Sequence, residues 1–222
     1  MKKRKVLAVA LVLISVAGLS SFGKSFQEIP PIIGAYTLRS GEWQIGFGIG
    51  LPLQSLDYWA SSGSVAYGIT DRVQVAVGIG YGRLSGPSPF YSSYSLSGKL
   101  RWPFSQNFDF ALPVSISFLD TSAGVSFSGI HSGIAFSMKT GLGFTLHGGW
   151  SLGYSKTGFY WGSPHGMVDL DISPLSKIIA EFSFRPLSIS VNLWLRTLDF
   201  LDIAFTFSPL SLWLGLAVYI RI

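Results

Sequence analysis

What most restricts this chain is an alternation, period two, of large apolar residues with small or polar ones. Between positions 43 and 53 the odd sites are Trp43, Ile45, Phe47, Ile49, Leu51 and Leu53, whereas the even sites are Gln44, Gly46, Gly48, Gly50 and Pro52. The same contrast returns at Val73, Val75, Val77, Ile79 and Tyr81, and at Phe108, Phe110, Leu112, Val114, Ile116 and Phe118. It is longest at the C-terminus, where Leu210, Leu212, Leu214, Leu216, Val218, Ile220 and Ile222 alternate with Ser211, Trp213, Gly215, Ala217, Tyr219 and Arg221. Successive side chains of a strand point to opposite faces, so each segment reads as a strand with one oily face and one small or polar face.

The second face decides which solvent the strands meet. A soluble sandwich or lipocalin-like barrel buries its apolar face and covers the other with charged residues. Here the other face is mostly Gly, Ser and Ala, and only 12% of the chain is charged, against about 25% in ordinary soluble domains. Beyond the N-terminal segment no apolar run approaches 18 residues, which leaves a helical span unsupported. In an outer-membrane barrel the arrangement inverts: apolar side chains meet lipid, small and polar ones line the lumen, and closure pairs every backbone group. The expected fold is therefore all-β, a transmembrane antiparallel up-and-down β-barrel.

The net charge of +5 invites a nucleic-acid reading, but Lys2, Lys3, Arg4 and Lys5 supply much of it. They precede an apolar stretch from Val6 to Leu19 and then small residues, the order of a secretory signal peptide. Residues 1–23 are assigned to that signal, with cleavage after Gly18, Ser20 or Gly23. Its removal leaves 12 Lys+Arg against 11 Asp+Glu, and the case for nucleic acid goes with it. Residues 24–41 are expected to be a periplasmic lead-in and 42–222 the barrel. With no Cys, the chain has no acylation lipobox, thiolate metal site or disulfide framework.

Strands are expected at 42–53, 57–70, 72–84, 92–104, 107–119, 125–138, 141–154, 160–173, 176–184, 187–196, 199–207 and 210–222. Twelve is the expected number, with ten or fourteen as alternatives, because the turn after the sixth strand has two candidates, at Lys139-Thr140-Gly141 and at His147-Gly148-Gly149. Tight polar connections at 70–72, 103–107, 139–141, 173–176 and 197–199 fall on one side, the periplasmic one if the N-terminus lies there. Tyr58, Trp59, Phe90, Tyr91, Tyr94, Trp102, Phe104, Phe159, Tyr160 and Trp161 sit near strand ends as candidate interfacial girdles. Pro-Leu-Ser recurs at Pro174, Pro186 and Pro209, at spacings close to one and two strand-plus-turn units; abundant Ser and Leu around ladder-ending prolines account for it equally well.

The whole barrel segment resembles bacterial outer-membrane β-barrel proteins of porin-like type. Tyr67-Gly68-Ile69-Thr70-Asp71-Arg72-Val73-Gln74-Val75 is similar to a strand-turn-strand passage common among them. The C-terminal strand, with Leu216, Val218, Tyr219, Ile220 and Ile222, resembles the signal read by the barrel-assembly machinery, although it ends in Ile where many such proteins end in Phe. The resemblance implies outer-membrane location, and outer-membrane lipids, the assembly machinery and small solutes as partners.

Gly149-Trp150-Ser151-Leu152-Gly153 matches the Gly-x-Ser-x-Gly pattern of serine hydrolases, but that motif needs a sharp strand-to-helix turn and this one lies in strand periodicity. His131, His147 and His165 lack metal-ligand spacing. A twelve-stranded barrel phospholipase family carries Ser, His and Asn on its outer face, whereas the phase here turns His147 inward. No catalytic, cofactor-binding or metal residue is assigned. The alternation does turn Lys99, Arg101, Lys139, Asp169, Asp171 and Glu181 toward the lumen. There they either set up a transverse field that selects solutes, or pair among themselves as lumen or rim salt bridges. Trp194, Trp213 and Tyr219 also point inward and could occlude the path.

About 16 residues per strand and connection leave no space for a plug domain or long receptor loops. The leading expectation is a passive channel or transporter for small solutes. A closed barrel with a structural or surface-interaction role is the alternative, and a lipid-active enzyme stands third.

Overall fold

The structure, a computed structural model, describes residues 35–53, 59–83, 90–121, 126–155, 158–173, 175–184, 187–198, 200–209 and 212–222. The signal peptide and the first part of the lead-in lie outside the described residues. Twelve strands form one closed antiparallel barrel: β1 (Trp43–Pro52), β2 (Trp59–Thr70), β3 (Val73–Arg83), β4 (Phe90–Pro103), β5 (Phe108–Thr121), β6 (Ser126–Lys139), β7 (Phe144–Ser155), β8 (Gly158–Ser173), β9 (Ser176–Phe184), β10 (Leu187–Leu198), β11 (Leu201–Ser208) and β12 (Trp213–Arg221). Each strand pairs with its neighbours in sequence, and β1 closes on β12 from Gln44↔Arg221 to Pro52↔Trp213. Closure leaves no unpaired sheet edge, the condition for crossing a bilayer with strands.

The turn after β6 settles the strand count. Thr140 donates through its amide and its hydroxyl to the Phe144 carbonyl, at 3.0 and 2.7 Å, and Gly143 takes the left-handed conformation at φ 81°, where a side chain would be strained. His147-Gly148-Gly149 therefore lies within β7, not at a turn. In β8 the register slips between Trp150↔Pro164 and Leu152↔Trp161. Pro164 has no amide to give the ladder, and a bulge is where a strand tolerates that.

The exterior is the apolar face. Phe47, Ile79, Tyr94, Ile130 and Phe205 are all large and exposed, a surface that only acyl chains solvate. Aromatic rings gather at both of its rims. Trp43 packs on Tyr67 at 4.5 Å, and Phe108 bridges Phe104 and Phe136 at the turn end; Tyr81 stands between Trp59 and Phe90 at the loop end. Tyr91 departs from the girdle expectation: it is buried and turned inward with Ser93 and Ser95, its ring lying over Gly82. Tyr58 and the side chains of Phe159, Tyr160 and Trp161 lie outside the described residues.

One lipid-facing row is built from ring and glycine. The registers align Phe136, Gly148, Gly166 and Phe182 across four strands. Each Phe folds over the adjacent Gly, so that a Cβ at Gly148 would stand 2.3 Å from the Phe136 ring and one at Gly166 2.2 Å from the Phe182 ring. The rings cover backbone that glycine would leave bare to lipid.

Candidate functional site

The lumen differs between its two ends. Toward the loop end, the wall formed by β2–β6 carries Ser62, Ser64, Ser93, Ser95, Ser97, Ser115 and Ser117 on its inner face, interleaved with glycine. Ser117 Oγ lies 3.1 Å from His131 Nε2, the one imidazole described on that wall. Among the described residues, this part of β2–β6 presents no Lys, Arg, Asp or Glu inward. Small hydroxyl side chains make such a wall wettable and electrically neutral.

Toward the turn end the lumen is charged and filled. Of residues 35–42, which lead into β1, Ala35 to Leu38 reach into the barrel, while Arg39 to Gly41 are exposed at the turn rim, where the Ser40 amide donates to Asp71 Oδ1 at 2.8 Å. The Ala35 amide donates to Ser137 Oγ at 2.6 Å, the Leu38 amide to Gln74 Oε1 at 2.9 Å, and Lys99 Nζ to the Tyr36 carbonyl at 3.2 Å. The segment then runs beside the end of β2, exchanging the Gly41 amide with the Gly68 carbonyl and the Gly68 amide with the Glu42 carbonyl. Gly68 is obligatory in this arrangement, since a Cβ there would lie 2.0 Å from the Arg39 carbonyl oxygen. Gln74, Lys99 and Ser137 are each no more than 4% exposed, and polar groups so buried need partners. The segment's backbone supplies them.

Tyr36 is the centre of this packing. Its ring lies 5.5 Å from the Arg101 guanidinium, 5.8 Å from Lys139 Nζ, and edge-on to His147 at 5.5 Å. Burial raises the Tyr36 hydroxyl above its ordinary pKa, with Asp109 adding to the effect and Arg101 opposing it. The ring therefore stays neutral and offers its electron-rich face to the two cations.

From Tyr36 a seam runs along the inner wall from β7 to β12. His147 Nε2 lies 3.5 Å from Asp169 Oδ2, which also bonds Lys177 Nζ at 3.3 Å. Lys177 stands 5.6 Å from the centre of the Trp194 ring, and Trp194 stacks on Tyr219 at 4.8 Å. Trp194 and Tyr219 belong to a packed group with Met167, Ile179, Ala204 and Ala217, and Trp213 leans on it. Beside it, Asn192 donates to Glu181 at 3.2 Å and accepts from Thr206 at 2.5 Å. Asp202 is held between Arg196 and Arg221.

The six charges singled out by the alternation are thus distributed as follows. Lys99 and Lys139 serve the N-terminal segment, Arg101 binds Asp109 at 2.9 Å, Asp169 bonds Lys177, and Glu181 receives Asn192. Asp171 is exposed at the turn end, opposite Lys177 in the register. These bonds run between near neighbours instead of facing one another across open water. Sequence reasoning missed Asp109 as the partner of Arg101, although both flank one short turn in the same phase. In the C-terminal strand, Leu216, Val218 and Ile220 face outward, Tyr219 faces the lumen, and Ile222 pairs with Trp43 through both backbone groups.

Ser137, His147 and Asp169 form a connected trio, with Ser137 Oγ 2.7 Å from His147 Nδ1. The groups are those of a hydrolase triad, but the setting is not. With the segment seated, Ser137 is wholly buried and already accepts the Ala35 amide, which shields its oxygen from a carbonyl carbon. Neighbouring backbone amides are committed to the β ladders, which leaves no pair of donors for an oxyanion. The trio anchors the segment. Ser151, of the Gly-x-Ser-x-Gly match, lies inside β7, far from any strand-to-helix turn; its side chain and that of His165 lie outside the described residues. No group of three or more metal-ligating side chains occurs among the described residues.

No protein-family model matches the chain, and no curated protein matches it. Solved structures do share its fold. The KdgM porin, including a form in complex with disordered oligogalacturonate, superposes with a TM-score of 0.57 at 8% identity, over 80% of this chain and 97% of that one. An outer-membrane channel from Pseudomonas putida F1 gives 0.55 at 10% identity, over 85% and 98%. The translocator domain of the autotransporter NalP from Neisseria meningitidis gives 0.50 at 14% identity, over 93% and 95%. At these identities the likeness is one of fold: this chain is an outer-membrane-type β-barrel.

Proposed function

We propose that this chain is a passive channel of the bacterial outer membrane for small solutes. The observation that carries the reading is the neutral, hydroxyl-lined inner wall that β2–β6 present toward the loop end, inside a closed barrel with an apolar exterior. A barrel built only as an anchor gains nothing from keeping that wall small and wettable, whereas a path for solutes requires it. Two of the structures that share the fold are a porin and an outer-membrane channel, which agrees with the reading. Oligogalacturonate, the ligand named for the KdgM porin, is a polyanion, and the described residues of the β2–β6 wall offer it no cations toward the loop end, Lys99, Arg101 and Lys139 all lying toward the turn end. Uncharged polar solutes fit this wall better, because hydroxyls exchange hydrogen bonds with them at little electrostatic cost.

Export by a signal peptide over residues 1–23 and recognition of the C-terminal strand by the barrel-assembly machinery belong to the same proposal. So does its passive, non-enzymatic character. A second reading, a closed barrel with a structural role, is favoured by the seam from Tyr36 to Tyr219. Single-channel recording in a planar bilayer separates the two, with heat-modifiable gel mobility to establish folding. Discrete conductance steps, together with faster liposome swelling in a neutral sugar than in its uronic acid, are expected. A folded barrel that stays silent with and without residues 24–38 would refute the channel.

A further inference from the structure

We propose that residues 35–38 are a stopper that closes the turn end of the pore, and that the pore conducts fully when this segment leaves its seat. The inference rests on the channel reading and specifies what controls the same lumen.

Three features of the seat support it. The first is position: the segment reaches from Gln74 on β3, past Lys99 on β4, to Ser137 on β6, and Tyr36 meets the end of the seam at His147. It therefore lies over the inner face of β3–β6, away from the β10 and β12 strands that carry Trp194 and Tyr219. The second is the kind of bond. Segment and barrel are joined by hydrogen bonds between the segment's backbone and polar side chains and by cations on one aromatic ring, while the buried apolar cluster among the described residues is small, Ala35 with Ala111 and Ala135. Water replaces hydrogen bonds of this kind when a segment withdraws, whereas a large apolar contact would have no such substitute. The third is Gly68, on which the segment rests so closely that a methyl group would collide with backbone, not with a side chain able to swing aside.

The channel wall does not depend on the segment. Every strand pairs with both neighbours through its own ladder, so removing residues 35–38 takes no hydrogen bond from the β1–β12 closure. Gly68→Ala is the most economical perturbation, because Ala is tolerated in a strand and its methyl group would occupy the position of the Arg39 carbonyl.

The test compares three barrels refolded into planar bilayers, each shown to be folded by heat-modifiable mobility: the chain from Lys24, the chain from Arg39, and Gly68→Ala in the longer chain. A strand of chain with its side chains covers a substantial share of the lumen of a twelve-stranded barrel, so the chain from Arg39 should conduct about twofold more or better. Gly68→Ala should approach it. Because the natural chain has no Cys, an Ala35→Cys thiol reports the seat directly: it should resist maleimide in the parent barrel and react in the Gly68→Ala background. Equal conductance of all three barrels would overturn the stopper and leave the channel standing, and so would equal thiol labelling in both backgrounds. Silence from all three folded barrels would overturn the channel reading and the stopper together. Tyr36→Ala, which leaves the backbone and Gly68 untouched, serves if Gly68→Ala does not fold, and should show the same increase in smaller degree.

Discussion

Asn192 offers the sharpest measure of how much the lumen network contributes to the barrel. Its side chain is completely buried, gives its amide to Glu181 Oε1 at 3.2 Å, and receives the Thr206 hydroxyl at 2.5 Å. Replacing it by Leu keeps the branched shape and removes both functions, so the Thr206 hydroxyl loses its acceptor and the Glu181 carboxylate loses a donor. Depriving a buried neutral group of its partner costs about 1–3 kcal/mol, and a bond to a charged group is worth about 1.5–3 kcal/mol. Together these place Asn192→Leu at about 3–5 kcal/mol of lost stability. Asn192→Ala should cost less, because the smaller side chain leaves polar-lined space in which a water molecule can bridge the two groups. Thr206→Val removes one neutral bond and should cost about 1–2 kcal/mol, and combined with Asn192→Leu it should add less than its own value, since the two residues share that bond. Urea titration of the lipid-inserted barrel, followed by tryptophan fluorescence, measures all four. If Asn192→Leu costs under about 1 kcal/mol, or is milder than Asn192→Ala, the account of a dry, mutually satisfied network is wrong.

The outer row and the turn-end charges yield two more tests. Gly166→Ala puts a methyl group into the Phe182 ring, which is exposed and can swing into lipid; a loss of about 1 kcal/mol is expected, and adding Phe182→Ala should cost little more because the ring contact is already gone. Additive losses in urea titration would show that the ring and the glycine act separately. Arg101→Ala leaves the buried Asp109 carboxylate without its guanidinium, so the reversal potential in a salt gradient should move toward cation preference, while Asp171→Asn, at an exposed and screened site, should move it slightly the other way. No shift with Arg101→Ala would mean that the charged end does not lie on the conduction path.

The strands were legible because lipid outside and small residues inside leave an unusually clean contrast. Where Phe, Ile and Leu alternate with Gly and Ser over ten residues, a slip of one position would turn the whole apolar set inward, so β1, β3, β5 and β12 could hardly be read otherwise. Phase also placed Trp194 and Tyr219 inside. The segment ahead of β1 was beyond such reading. Ala35, Tyr36, Thr37 and Leu38 show no period, and their position follows from single hydrogen bonds to three distant strands. Gly68 could not be told apart from the other glycines, because its role is to make room for a carbonyl that arrives from outside the strand. The Ser137–His147 pair depends on register: it exists only with the turn at Thr140–Gly143, and the competing turn at His147-Gly148-Gly149 would have erased it. Tyr91 was assigned to the girdle from its place near a strand end, but its odd position in β4, shared with Ser93 and Ser95, turns it inward.

The size of the barrel explains why so short a segment can matter. Twelve strands at ~4.8 Å spacing and ~40° tilt give a backbone radius of about 12 Å, and a lining of small side chains leaves a lumen radius of roughly 7 Å. Trp194 and Tyr219, stacked against one wall with Met167 and Ile179 beneath them, take up much of that space on the β8–β12 side. Tyr36 stands on the facing side, against Arg101 of β4, Lys139 of β6 and His147 of β7. The charges follow the same division of space. They concentrate where the two bodies meet, because Arg101, Lys139 and Lys177 can each be matched there by a carboxylate or an aromatic face. The β2–β6 wall beyond the seam, which has no such partners, is left to hydroxyls and glycine.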